Sequence, residues 1–231
     1  AADGAAGFGE SVSIDGATVV VGAHLGGSVY VFRTTDGGAT YGQVAKLRAA
    51  NSGALRFGKS VAISSDTIVV GAWGETIGGK KTGAAYVFRT IDGGASYSQV
   101  SKLRAGDARH GDNFGHDVAI NSGTIVVGAR NNKDRGASTG SAYVFRTTDG
   151  GATYSQVKKL LAADITAGDR FGQNVATDGE NVAICGGGAV YIYTDDGGTW
   201  SQVAKLVASD GVSIGSSNSG FLAIDGATVA V

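Results

Sequence analysis

The side chains with the widest chemical reach fall in four short stretches: Trp73, Glu75, Lys80 and Lys81; Arg109, His110 and Asp112; Arg130, Asn131, Asn132, Asp134 and Arg135; and Asp169 with Arg170. An exposed indole among cations and carboxylates suits a surface that stacks on a sugar or anchors a protein side chain. It does not by itself suit catalysis, and the chain carries no phosphate loop and no paired-carboxylate motif. His24, His110 and His116 lie far apart in sequence without zinc spacing, so no metal or other cofactor is expected. The single cysteine, Cys185, excludes an internal disulfide and is expected to be a small buried thiol.

These stretches are set between copies of one supersecondary unit. The string at Gly140–Leu160, GSAYVFRTTDGGATYSQVKKL, recurs with small changes at Gly27–Leu47, Gly83–Leu103 and Gly187–Leu206. Ala142-Tyr143-Val144-Phe145 alternates with the two-residue period of a strand, Asp149-Gly150-Gly151 supplies the positive φ of a tight reversal, and Tyr154–Leu160 forms a return strand. Upstream, Phe8-Gly9, Phe57-Gly58, Phe114-Gly115 and Phe171-Gly172 each open a further pair of short strands joined by a tight turn. Each repeat therefore predicts a four-stranded antiparallel meander with apolar residues on both faces, and such sheets are stable only when stacked on neighbours.

A net charge of −1 gives no footprint for nucleic acid, and no apolar run reaches the length of a membrane span, so neither nucleic acid nor membrane insertion is expected. Forty glycines without proline argue for many tight turns in a globular chain, since the Val-Val-Gly and Tyr-Val-Phe runs exclude disorder.

The order Phe-Gly, Val-x-Ile, Val-Val-Gly-Ala, Ala-Tyr-Val-Phe resembles the FG-GAP repeat of integrin-α-type β-propellers across essentially the whole chain. Thr34–Tyr41, Thr90–Tyr97 and Thr147–Tyr154 also resemble the Asp box of sialidase-like propellers, and Thr194–Trp200 matches it one residue short. The resemblance implies an all-β propeller; the Phe-Gly spacing sets blades at approximately 8–56, 57–113, 114–170 and 171–217 with a partial fifth over 218–231, and that incomplete repeat leads us to expect part of a larger ring. In the fifth repeat Asn218-Ser219 stands where Phe-Gly is expected, and Phe221 follows. The resemblance also makes Asp36, Asp92, Asp149 and Asp196 structural residues remote from catalysis. Integrin-type repeats often hold calcium, which needs six to eight oxygens, but the corresponding turns here carry too few carboxylates. A sialidase-like centre would need inward arginines, whereas Arg33, Arg89 and Arg146 recur at one blade position, as scaffold residues do.

The meander puts the strand 1–2 and 3–4 turns on one face and the 2–3 loops and blade connections on the other. Only the second face differs between copies, and variable loops on a rigid scaffold are where binding resides. The expected function is a non-enzymatic extracellular or cell-surface module for adhesion to, or binding of, a protein or glycan. The alternatives are a structural unit of a fibre that self-assembles through open blade edges, and a glycoside hydrolase with its catalytic residues outside this stretch.

Overall fold

The computed structural model describes residues 4–50, 55–212 and 222–231. Its elements are strands that form four antiparallel four-stranded sheets. Blade 1 comprises β1 (Phe8–Asp15), β2 (Thr18–Ala23), β3 (Ser28–Arg33) and β4 (Gly42–Leu47). In blade 2, β5 (Val61–Ser64) and β6 (Thr67–Ala72) are followed by a small inserted hairpin, β7 (Thr76–Ile77) and β8 (Lys80–Lys81), before β9 (Ala84–Arg89) and β10 (Ser98–Leu103). Blade 3 contains β11 (Phe114–Asn121), β12 (Thr124–Ala129), β13 (Ser141–Arg146) and β14 (Ser155–Leu160). Blade 4 contains β15 (Val175–Thr177), β16 (Asn181–Gly186), β17 (Ala189–Asp196) and β18 (Thr199–Leu206). A two-stranded hairpin, β19 (Ala223–Asp225) and β20 (Thr228–Ala230), follows. Asn218-Ser219 and Phe221 lie outside the described residues.

The first strand of each blade is innermost: β1 touches β5, β5 touches β11, β11 touches β15 and β15 touches β19, which makes an open β-propeller. The period-2 pattern explains why these sheets stack. In blade 2, Ile68, Val70, Tyr86 and Phe88 face blade 1, where Val20, Val29 and Val31 receive them together with Phe57, Val61 and Ile63. The opposite side of the same strands, Val69, Ala85 and Val87, packs on Phe114, Val118 and Ile120 of blade 3. Each fully buried side chain of this size contributes about 1.5–3 kcal/mol, so the blade joints dominate stability.

The Phe-Gly pair is the pin of each joint. Its ring sits edge-on to a tyrosine of its own blade, at 5.5 Å for Phe8–Tyr30 and 5.4 Å for Phe57–Tyr86, Phe114–Tyr143 and Phe171–Tyr191. The glycine adopts positive φ against the preceding blade; a Cβ on Gly115 would lie 2.1 Å from the Ala84 carbonyl oxygen, and one on Gly172 would lie 2.2 Å from that of Ser141. Blade 1 shows what the joint buries. Phe8, Val12 and Ile14 are 40%, 58% and 62% exposed, against 0%, 5% and 8% for Phe114, Val118 and Ile120.

The outermost strands share a further device. Val44, Val100, Val157 and Val203 are each skipped in the pairing with the third strand, so every outer edge carries a bulge. A bulged edge is a poor template for another chain's strand. Cys185 is fully buried, as expected, and burial pushes its thiol up to about 12.

Candidate binding face

The turn face is built by repetition. The Asp36 carboxylate accepts hydrogen bonds from the Thr34 hydroxyl at 2.7 Å, the Thr40 N–H at 2.9 Å and the Thr40 hydroxyl at 2.6 Å. Asp92 makes the same bonds to Thr90 and Ser96, and Asp149 to Thr147 and Thr153. These donors hold all three carboxyls well below the ordinary aspartate range. Arg33 lies against Gly94 of the next Asp box and Arg89 against Gly151, while Arg146 pairs with Asp195 and lies 5.1 Å from the Trp200 ring. The arginines that a sialidase-like centre would need are thus occupied at blade joints. Blade 4 departs from the expected pattern: its shorter turn makes Asp195, not Asp196, the carboxylate that accepts the Gly198 N–H, at 2.8 Å, and pairs with Arg146. Losing one residue changes which side chain points back over the turn.

The loop face gathers the four variable stretches. The β7–β8 insertion of blade 2 meets the connection into blade 3: the Gly111 N–H donates to the Lys81 carbonyl at 2.7 Å, and the Lys81 N–H donates to His110 Nδ1 at 3.2 Å. Arg109 reaches Asp134 at 3.4 Å, linking that connection to the blade 3 loop. The Asn131 N–H donates to the Asp112 carbonyl at 3.1 Å, and the Asp112 carboxylate accepts the Arg109 N–H at 2.8 Å. Arg135 donates to the carbonyls of Ala162 and Ala163, and Asp169 accepts the Thr166 N–H and hydroxyl while Arg170 remains exposed.

Three of the expected ligand-facing side chains are interior instead. Glu75 is fully buried and pairs with Lys102 at 2.7 Å, because the β7–β8 hairpin closes over it. Asn132 is fully buried, and Asp112 is 1% exposed, with its carboxyl raised by burial. Trp73 is only partly exposed: the Lys81 ammonium lies 4.6 Å from the ring centre and the Arg56 guanidinium 5.6 Å. The accessible part of the face therefore comprises an indole edge beside Lys81, with Lys80, Arg109, His110, Asp134 and Arg135 exposed on the joined loops and Asn131 half-buried among them.

The string Gly136-Ala137-Ser138-Thr139-Gly140 has the spacing of a nucleophile elbow, and Ser138 sits at φ 54°. It lies in a loop before β13 rather than in a strand-to-helix turn, and among the described residues no histidine is hydrogen-bonded to Ser138. Among the described residues no three His, Cys, Asp or Glu side chains converge as a metal site would require.

Sequence reasoning passed over a set nearer the axis. Glu10, Lys59, His116 and Gln173 follow the Phe-Gly pairs at one equivalent position and line the loop-side end of a groove of about 840 Å³ between the innermost strands. The available signal was a slot fixed by the repeat whose residue type changes in every copy.

Stacked four-stranded meanders around an axial groove, with one uniform and one variable face, define a propeller-type repeat module. FG-GAP repeat models match residues 41–88, 97–145 and 154–198, and the chain belongs to the FG-GAP repeat family. No match was found among curated proteins. Among solved structures, Saccharomyces cerevisiae Sqt1 aligns with 88% of this chain and 49% of its own at 10% identity and a TM-score of 0.56. A Lactobacillus plantarum protein aligns over 85% and 56% at 14% identity with a TM-score of 0.57, and the nidogen/laminin complex over 87% and 64% at 9% and 0.51. The chain thus spans about half to two thirds of the proteins whose fold it shares. No helix among the described residues is long and apolar enough to cross a membrane.

Proposed function

We propose that the chain is a non-enzymatic binding module that works outside the cell or at its surface, with a protein or glycan received on the loop face. The observation that carries this reading is the joining of the blade 2 and blade 3 loops into one surface around Trp73, through Lys81, His110, Arg109 and Asp134. An aromatic edge framed by guanidinium and ammonium groups suits a sugar ring or a side chain of a partner protein. Glycan and matrix-protein panels probed with the wild type and with Trp73→Ala and Lys80→Ala test it. Binding by the wild type that both variants weaken supports the reading; wild-type silence on all panels, or binding that neither variant affects, sinks it.

A further inference from the structure

The loops of blades 2 and 3 bring Lys80, Lys81, Arg109 and Lys133 to one surface, and the backbone shows how. Lys80 and Lys81 form the return strand of the β7–β8 hairpin, where they pair with Ile77 and Thr76. Adjacent residues on a strand point to opposite sides. Lys81 holds its ammonium 4.6 Å from the Trp73 ring centre, and Lys80 is exposed. Gly111 joins this hairpin to the blade 3 loop: its N–H donates to the Lys81 carbonyl at 2.7 Å, and the Lys133 ammonium lies 3.7 Å from where a Cβ on Gly111 would stand. Lys81 and Lys133 thus flank one glycine although they come from different blades. His110 adds a donor beside them. Its Nδ1 accepts the Lys81 N–H at 3.2 Å, so in the neutral ring the hydrogen sits on Nε2.

The acids of this region are engaged elsewhere. Glu75 is buried against Lys102 at 2.7 Å. Asp107 engages Lys159, and Asp134 engages both Lys159 and, at 3.4 Å, Arg109. Asp112 is 1% exposed and accepts the Arg109 N–H. Among the described residues no carboxylate is ion-paired with Lys80, Lys81 or Lys133. Like charges gathered in this way repel one another, and an anionic ligand would offset that repulsion.

We infer that the partner received on the loop face is an acidic glycan, a polysaccharide whose rings bear carboxylate or sulfate groups, held by Lys80, Lys81 and Lys133 beside Trp73. The inference rests on the loop-face reading above and names its ligand class. Such a surface asks for a ligand with an apolar patch for the indole edge and an anion next to it. A uronate or sulfated pyranose carries both on one rigid ring. An acidic peptide carries its carboxylate on a flexible stem, whose immobilisation costs rotamer entropy. Lysine suits the task, since a compact charge on a mobile stem can follow anions spaced along a chain, whereas a guanidinium fork favours one fixed carboxylate. The cations are spread over the loops of two blades, which fits a chain of several sugars.

The test is calorimetric titration of the intact chain with heparin oligosaccharides, polygalacturonate oligosaccharides, neutral dextran and poly-glutamate, at low and at physiological salt. Saturable binding of an anionic glycan, weaker at the higher salt, supports the inference when Trp73→Ala weakens it and Lys80→Gln and Lys133→Gln each weaken it about twofold to fivefold. The double change should weaken it about tenfold, and Lys158→Gln on the outer strand β14 should leave it unchanged. Lys80 and Lys133 are exposed, so their replacement leaves the packing intact. The tighter of the sulfated and carboxylated probes identifies the anion. Binding of poly-glutamate as tight as that of either glycan would overturn the inference in favour of an acidic protein. Equal binding of dextran, or equal weakening by Lys158→Gln, would overturn it by removing the role of these charges. Silence toward both anionic glycans also overturns it; the loop-face reading survives that result if a neutral glycan or a matrix protein binds through Trp73, and falls with it if nothing binds.

Discussion

The turn face and the loop face are opposite ends of the same strands, yet they are built by opposite rules. On the turn face the same donor set surrounds Asp36, Asp92 and Asp149, and Arg33 and Arg89 press on the next Asp box in the same way. On the loop face equivalent positions hold four different residues, His24, Trp73, Arg130 and Gly187; His24 shares a hydrogen bond with Arg56, while Trp73 lies under Arg56 and Lys81. Charge follows the division. Among the described residues the turn face joins a carboxylate to nearly every turn, with Arg33, Arg89 and Arg146 as its cations, while lysines and arginines populate the loops; the net charge of −1 conceals this polarity. Where a bond recurs at every joint, the spacing of blades depends on it. Where it does not recur, the residue type is not fixed by the joint.

Expected effects can be ranked against this division. The largest lies in the pins beneath the variable loops. Gly172→Ala drives a Cβ into the Ser141 carbonyl at φ +85° and should cost more than about 3 kcal/mol in urea unfolding. Gly9→Ala meets open space and should cost only about 1 kcal/mol of backbone strain. Similar losses at both sites would show that φ alone, and not blade contact, sets the glycine requirement. Next is Phe114→Ala, expected to lose about 3–5 kcal/mol, against a much smaller loss for Phe8→Ala, whose ring is 40% exposed.

Two pH effects follow. His116 has a folded pKa below its unfolded value near 6.5, so the unfolded state takes up the proton and stability falls as pH drops from about 6.5 to 4. His116→Gln should flatten that limb of a thermal melting series. The Asp-box carboxyls are also lowered, so their contribution is present above about pH 4 and is lost as pH falls through their folded values. The triple change Asp36→Asn, Asp92→Asn, Asp149→Asn should make acid unfolding less steep. The smallest stability effect belongs to Lys80→Ala, an exposed loop change expected to stay within about 0.5 kcal/mol of wild type while reducing partner binding.

The repeat made the blades legible because both faces of each sheet are apolar at period 2, and that pattern requires neighbours. It could not show that Phe8, Val12 and Ile14 differ from their copies, since burial there depends on a preceding blade and not on the residues themselves. The loop face was legible as a location but not as a set of contacts. Glu75 reads as a surface carboxylate until the β7–β8 hairpin folds over it. Asp196 reads as the fourth Asp-box residue until a one-residue deletion passes the role to Asp195. The groove-lining set Glu10, Lys59, His116 and Gln173 went unread because its members are far apart in the chain and meet only through the radial stacking of blades.

Cys185 occupies a slot where the other blades have Gly22, Gly71 and Gly128, each so close to the glycine carbonyl of the next Phe-Gly that a Cβ would lie 2.0–2.3 Å from it. In blade 4 the thiol belongs to a small buried cluster with Ala176, Ala183 and Val190, against which Leu222 and the Ile224 and Val229 side chains of the last hairpin pack. The molecule therefore contains its own stopwatch. The fully buried thiol meets an alkylating reagent when the cover over it opens, and the rate at which it is capped counts those openings without any label having to be installed.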